Sequence, residues 1–312
     1  MIRIYKYHVN QKSEWDNFVK ESKNGTFLHL RDYMDYHQDR FNDFSLIACD
    51  DDKLVGLLPA NISGNTLYTH QGLTYGGWII KAKHFEAVQM LEIFDKMKEF
   101  LSAKGVNKLV YKAIPNIYHT YPAEEDLYAL FRNGATICSS LISSAVPVAE
   151  ALRFNENARR GAAHAASLGV TVQEEEDFCG FWDVLTELLG SRYHTAPVHT
   201  CEEITLLKSR FKDNIRLFTV RHEGKIVGGT VIFDTGIVAH AQYIAASDEG
   251  KQMKVLPLLF KHLIEDVFKD RKYFDFGTSN EDGGKYLNEW LLQQKAGMGG
   301  RGIIYNTYEL NF

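Results

Sequence analysis

One order of elements occurs twice in this chain, and that constrains its fold more than any single motif. Phe85, Val88, Leu91, Phe94, Met97 and Leu101 recur at three- and four-residue steps before Gly105. Leu256, Leu259, Leu263 and Val267 repeat the pattern in the second half. Both predict a long helix with one apolar face. Each is preceded by three predicted strands and followed by a fourth. In the first half, acidic residues 50–52 split a hairpin of residues 44–49 and 53–61, and residues 65–69 and 108–112 supply the other two strands. In the second half a hairpin crosses Glu223-Gly224 between residues 215–221 and 225–233, with further strands at 238–246 and 273–276. Two helices open each copy: one from Ser13 and one at 32–41, then 178–191 and one reaching Phe211 after a Thr200/Glu203 capping box. A helix and a strand close each copy, at 124–132 and 135–146, then at 284–295 and 302–310. A helix at 155–167 and a strand at 170–173 join the halves. Lys53-Leu-Val-Gly56 and Lys225-Ile-Val-Gly228 each open the second strand of their copy. The pattern predicts a mixed-sheet α/β (α+β) chain of two tandem domains, 1–150 and 151–312, joined near Ala149–Leu152.

A length of 312 residues accommodates two such domains, each able to bury its own core. With 45% hydrophobic and 24% charged residues, the chain is not a mainly disordered one. A net charge of −5 argues against a protein held on DNA or anionic lipid by bulk positive charge. Cys49, Cys138, Cys179 and Cys201 include no CxxC pair, so neither a disulfide framework nor a thiolate zinc site is expected. His194, His199 and Cys201 have no recognised metal spacing, and no metal is expected. The opening residues lack a secretory signal. The longest charge-free stretch, 54–80, carries too many polar residues to span a bilayer. The expectation is a cytoplasmic chain without integral membrane contact.

Three second-half segments are the most specific: His240-Ala-Gln-Tyr-Ile-Ala-Ala-Ser247 with Glu249-Gly-Lys251, Tyr273-Phe-Asp-Phe-Gly-Thr-Ser279, and Gln294-Lys-Ala-Gly-Met-Gly-Gly300. With the element order they resemble the GNAT (general N-acyltransferase) fold. In that fold three antiparallel strands lead into a long helix, the third and fourth strands part, and an acyl thioester lies in the gap. Two such domains in one chain are similar to the Fem-type peptidoglycan bridge-forming aminoacyltransferases and their acetyltransferase-like relatives. The resemblance implies N-acyl transfer, with acetyl-CoA as donor and an amino group of a cell-envelope or polysaccharide precursor, a small molecule or glycan precursor, as acceptor. A Fem-type donor would be charged tRNA, which the −5 charge disfavours as a partner; a third reading is a non-catalytic duplicate that binds a glycan or protein. The superfamily's phosphate loop reads Gln/Arg-x-x-Gly-x-Gly/Ala, whereas Ser247–Lys254 holds one glycine, Gly250, with Lys251 and Lys254 to supply charge. In the first half Thr74-Tyr-Gly-Gly-Trp-Ile79 has no such pattern, which assigns the donor site to the second domain and acceptor binding to the first.

Acyl transfer needs a base, a polarised carbonyl and aligned reactants. Asp275, between aromatic residues, is the candidate base, with Glu281 a second carboxylate. Tyr243 is the candidate proton relay, because Gln242 beside it should face the opposite side of the strand. The resemblance places a polarising main-chain N–H near Ala245, with Gly250, Lys251 and Lys254 about the donor. Ser279 and Asp282 have capping-box spacing for the helix from 284. Acceptor candidates are Tyr33, Tyr36 and Arg40, with His37, on one helical face, then Tyr75 and Trp78 as aromatic platforms. Arg192 and His199 lie in an interhelix loop, and Lys295 is a candidate phosphate holder.

Overall fold

Alternation of apolar and polar residues becomes sheet in both halves, and the helical periodicity becomes the helices that cover it. The computed structural model describes all 312 residues, Arg192 and Tyr193 by their backbone alone. The chain divides into two units: Met1–Leu141 with Ile304–Phe312, and Ile142–Ile303.

In the first unit the strands are β1 (Ile2–Lys6), β2 (Leu46–Asp50), β3 (Lys53–Leu58), β4 (Asn61–Ser63), β5 (Thr66–Tyr68), β6 (Ile79–Ile80), β7 (Lys108–Lys112) and the start of β8 (Thr136–Pro147). Its helices are α1 (Lys12–Glu21), α2 (Arg31–Met34), α3 (Ala87–Ser102) and α4 (Glu125–Arg132). The predicted helix over 32–41 is broken: α2 stops at Met34 and a 3₁₀ turn, Asp35–His37, follows. Arg31 explains the stop. Buried, it reaches both Asp35 and Asp43 and so ties this turn to the chain that follows it. β1 was not expected from sequence; its Ile2 and Ile4 face the core while Arg3 and Tyr5 face out. The core gathers α3's Met90, Phe94 and Met97 against Trp78, Leu109 and Tyr111.

The second unit contains α5 (Glu156–Ser167), β9 (Thr171–Glu175), α6 (Cys179–Tyr193), α7 (Cys201–Arg210), β10 (Ile215–His222), β11 (Lys225–Asp234), β12 (Val238–Ala246), α8 (Asp248–Gln252), α9 (Val255–His262), β13 (Tyr273–Thr278), β14 (Asn280–Glu281), β15 (Tyr286–Leu287), α10 (Glu289–Gly297) and β16 (Arg301–Asn311). The Thr200/Glu203 box forms in both directions. The box expected at Ser279 does not form. Asn288 caps α10 instead, accepting from Leu291 N at 3.0 Å, so that helix begins five residues later than its pattern suggested. β9 to β13 lie in the order β9, β10, β11, β12, β13, with the end of β8 beyond β13. Phe218, Phe260, Phe268 and Phe274 fill the core beneath.

The units part between Leu141 and Ile142 rather than near 150, and the last nine residues belong to the first unit. Strand pairing is the reason. β13 takes residues 143–147 of β8 as its neighbour, while β7 takes Thr307–Asn311 of β16. Each unit is thus closed by a strand that the linear repeat assigns to the other.

Candidate active site

In the second unit β12 and β13 run parallel and pair only at Val238–Tyr273, Ala239–Phe274 and His240–Asp275. Beyond that pair β12 continues to Ala246 along β11, while β13 continues to Thr278 along β8. The strands therefore part immediately after His240 and Asp275. The separation has a local cause on each side. Register along β12 slips at Gln242, between the Val231–Tyr243 and Ile232–Ala241 pairs. On β13, Gly277 adopts φ 75° and the pairing with β8 becomes irregular.

Asp275 is completely buried at the point of divergence. Its Oδ1 accepts from Ser143 Oγ and, at 3.0 Å, from Gly277 N; its Oδ2 accepts from His240 Nδ1 at 2.8 Å. With Nδ1 donating, the neutral imidazole carries its basic lone pair on Nε2. The His240 side chain is 12% exposed, against 0% for Asp275. His240 is thus the accessible member of the pair, and Asp275, the predicted base, lies buried behind it and bonded to its ring. Within the motif His240–Ser247 no local spacing singles out the imidazole. The signal lay in the parallel register, which no spacing along the chain displays.

Lys295 is not a phosphate holder on the surface. It is buried, and Nζ donates to the carbonyls of Gly277 and Thr278 at 2.8 and 2.7 Å. Burial lowers its pKa to about 8, partly opposed by the charge of Asp275. It satisfies two β13 carbonyls beyond the last residue paired with β12. Tyr243 and His199 come together: the tyrosine hydroxyl meets His199 Nδ1, and Trp182 lies edge-on at 5.1 Å while its Nε1 donates to the His199 carbonyl at 3.2 Å. The α6–α7 connection is thereby fastened to β12 on the face that bears His240. The bulge at Gln242 also breaks the simple alternation on which the choice between Tyr243 and Gln242 rests. Gln242 Oε1 is buried with no hydrogen-bond partner among the described residues. An acceptor so placed costs about 1–3 kcal/mol unless a donor arrives, which makes Gln242 a candidate ligand contact. Glu281 is exposed on the β14–β15 hairpin and accepts from Asn288 Nδ2 at 3.1 Å, so its observed part is to brace the α10 cap. The Arg192 side chain lies outside the described residues.

A cavity of about 530 Å³ opens at the C-terminal end of β12. Ala246, Gly250, Lys251, Lys254 and Val255 line one side, while Asn157 and the α10 residues Trp290, Gln293 and Gln294 line the others. Three of the four donor-site candidates, Gly250, Lys251 and Lys254, thus meet at one cavity. Ala245 is buried on β12 opposite Gly229. Ala246 lies six residues along β12 from His240, roughly 20 Å at about 3.3 Å per residue, so a donor entering here must be elongated to reach the imidazole. Several backbone donors of this loop are used locally. Ser247 caps the short helix α8, accepting from Gly250 N at 3.1 Å, and the N–H groups of Lys251, Met253 and Lys254 bond to carbonyls of the same turn. Gly250 itself is needed for close packing, since a Cβ there would stand 1.9 Å from the Val227 carbonyl oxygen. Lys251 is paired with Asp248 at 2.8 Å. The side chains can meet an anion, while the N–H groups of Gly250, Lys251, Met253 and Lys254 are engaged within the turn.

The first unit has no equivalent gap. β5 and β7 pair in parallel up to Tyr68–Val110. The contact then continues through Thr69 N to Val110 O, Lys112 N to Thr69 Oγ1 and Gly76 N to Lys112 O. A Cβ on Gly76 would stand 2.2 Å from the Thr69 carbonyl, and one on Gly77 2.6 Å from the Tyr111 hydroxyl. These glycines let the chain close over the strands. Tyr75 and Trp78 are accordingly buried, Trp78 completely, and are not platforms for a sugar ring. Tyr33 is buried edge-on to Phe27 at 5.6 Å and to the half-buried Tyr36 at 5.8 Å. His37 stacks on His70 at 5.2 Å, and Arg40 is exposed at the rim of this cluster.

Residues 153–286 match the family model described as an acetyltransferase (GNAT) domain. The whole chain is similar to the crystal structure of FemX, at 12% identity over 99% of this chain and 97% of that one, with a TM-score of 0.69. It is similar to L-PGS from Bacillus licheniformis at 12% identity, over 96% of this chain and 91% of that chain, with a TM-score of 0.61. A tandem GNAT protein from the clavulanic acid biosynthesis pathway matches at 11% identity over 100% and 98% of the two chains, with a TM-score of 0.54. No curated protein matches the sequence. The second unit thus carries a GNAT domain. Over its whole length the chain shares the fold of FemX and of the tandem GNAT protein. Among the described residues no helix is long and apolar enough to cross a membrane.

Proposed function

We propose that this protein is an N-acyltransferase whose chemistry resides in the second unit. The observation that carries the reading is the parting of β12 and β13 directly after a histidine–aspartate pair. It provides a slot for an activated acyl group and a base at its apex. His240 Nε2 accepts the proton of the acceptor amine as nitrogen attacks the acyl carbon. Asp275 Oδ2, bonded to Nδ1, stabilises the imidazolium that results. Gln242 Oε1 is placed to accept an N–H from the acceptor. Main-chain N–H groups of β12 that no longer pair with β13 supply donors to the carbonyl oxygen. Tyr243 is retained as a positioning residue through His199. The acceptor is an amine on a cell-envelope or polysaccharide precursor, a small-molecule or glycan-linked compound.

Acetyl-CoA is the first donor to test, because Lys251 and Lys254 border the cavity. The engaged backbone of α8 supports a second reading, a donor such as aminoacyl-tRNA that does not rely on a pyrophosphate cradle. Acyl transfer to a panel of amino sugars and diamino acids, followed by product mass, tests both donors. Acetyl-CoA at millimolar concentration that neither shifts the melting temperature nor acylates any amine would remove the CoA version. Binding of aminoacyl-tRNA that weakens steeply with salt would favour the other. The His240→Gln variant is expected to lose at least about 100-fold in turnover with its fold intact by circular dichroism; a wild-type rate would exclude His240 as the base.

A further inference from the structure

Two cysteines that the sequence separates by more than twenty positions meet at the start of two helices. Cys179 is the first residue of α6 and Cys201 the first of α7, and their sulfurs are 3.0 Å apart. Cys179 is exposed and Cys201 half-buried, so a small thiol reagent can reach the pair. Each thiol belongs to the first turn of its helix. The hydrogen bond with Cys201 is the main reason that the Cys179 thiol is pushed up to about 12, with the charges of Cys201 and Asp177 adding to it.

We propose that Cys179 and Cys201 are a redox-active pair that closes to a disulfide by exchange with a low-molecular-weight disulfide, and that closure stiffens the α6–α7 connection. The Cys201 thiolate attacks one sulfur of the external disulfide, forming a mixed disulfide and releasing the first small thiol. The hydrogen bond that held the proton on Cys179 is thereby lost. Its thiolate then attacks Cys201 Sγ, breaks the mixed disulfide and releases the second small thiol. The two cysteines give up two protons and two electrons, and the external disulfide becomes two thiols. The sulfurs need close only from 3.0 Å to the roughly 2.05 Å of a disulfide. Trp182 is one helical turn beyond Cys179, and His199 lies two residues before Cys201. A bond between the cysteines therefore clamps both ends of the Trp182–His199–Tyr243 cluster. This holds whether or not the acyltransferase reading is correct.

The full-length protein is equilibrated across ratios of oxidised to reduced glutathione and analysed by thiol titration, intact mass and non-reducing peptide mapping. Four titratable thiols are expected to fall to two, with one Cys179–Cys201 cross-linked peptide. Cys49→Ser and Cys138→Ser should retain the cross-link. Cys179→Ser and Cys201→Ser should lose it, while melting in reduced buffer close to wild type. A count that stays at four, or a cross-link at another pair, overturns the proposal. In the oxidised form the amides of 194–200 should exchange roughly tenfold more slowly and melting should rise by about 4 °C. Equal exchange in the two forms overturns the stiffening.

Discussion

A lysine held inside a GNAT domain is an unusual expense, and Lys295 makes it measurable. Its folded pKa of about 8 lies below the ordinary 10.5 because burial disfavours the ammonium. Below about pH 8 the group is charged in both states, and the fold carries the cost of the buried charge. Between about 8 and 10.5 the folded chain has released the proton while the unfolded chain retains it. The unfolded state then binds more protons, so stability rises with pH through that window. The difference in unfolding free energy between wild type and Lys295→Met should shift in favour of wild type by about 2 kcal/mol from pH 7.5 to 10, read by urea denaturation. A difference independent of pH would mean that Lys295 titrates normally. At the same scale, Asp275→Asn keeps the size of the side chain but exchanges one acceptor for a donor beside His240 and Ser143. A loss of about 10³-fold in acyl transfer is expected, by analogy with other buried aspartates that fix a histidine tautomer, with little change in the KM of the donor.

At the scale of elements, the loop after β12 separates two explanations for one glycine. Were Gly250 present to let a pyrophosphate approach, alanine would weaken donor binding and leave the fold unaffected. Because a Cβ would collide with the Val227 carbonyl, Gly250→Ala should instead destabilise the unit by about 1–3 kcal/mol. A melting curve without ligand detects it. Thr200→Ala removes the cap of α7, accepted from Glu203 N at 3.2 Å, and should cost about 1 kcal/mol. Both elements were visible in the sequence, the first as a glycine with neighbouring lysines and the second as a capping box. Only the second could be explained there. A cap is a contact over three residues, whereas the neighbour of Gly250 comes from a different strand.

For the whole molecule, the exchanged closing strands decide what can fold alone. A chain ended at residue 150 would contain the first half of the repeat but leave β7 without Thr307–Asn311. It would also lose Tyr305, whose hydroxyl meets that of Tyr118 at 2.9 Å, and buried Leu310. That fragment is expected to aggregate or be digested by a dilute protease. Joining residues 301–312 to it through a flexible linker should restore a protected core, seen as slow amide exchange in β7. A soluble, protease-resistant 1–150 fragment would show that β16 is dispensable to the first unit.

Sequence alone determined most of the elements of this protein, β1 and the break after Met34 excepted, because most helices and strands are set by apolar spacing, caps and turns over fewer than about twenty residues. It also determined that their order repeats, and through His240–Ser247, Tyr273–Ser279 and Gln294–Gly300 which half bears the acyltransferase pattern. Asp275, Tyr243, Lys251 and Lys254 are legible as candidate residues on their strands and loop. Tertiary structure alone decided which of them meet. It paired Asp275 with His240 across a parallel register, buried Lys295 and Trp78, and filled the space beside Gly250. It also sent the last strand back to the first unit. Those outcomes depend on which strand lies beside which, a choice made by packing between residues far apart in the chain.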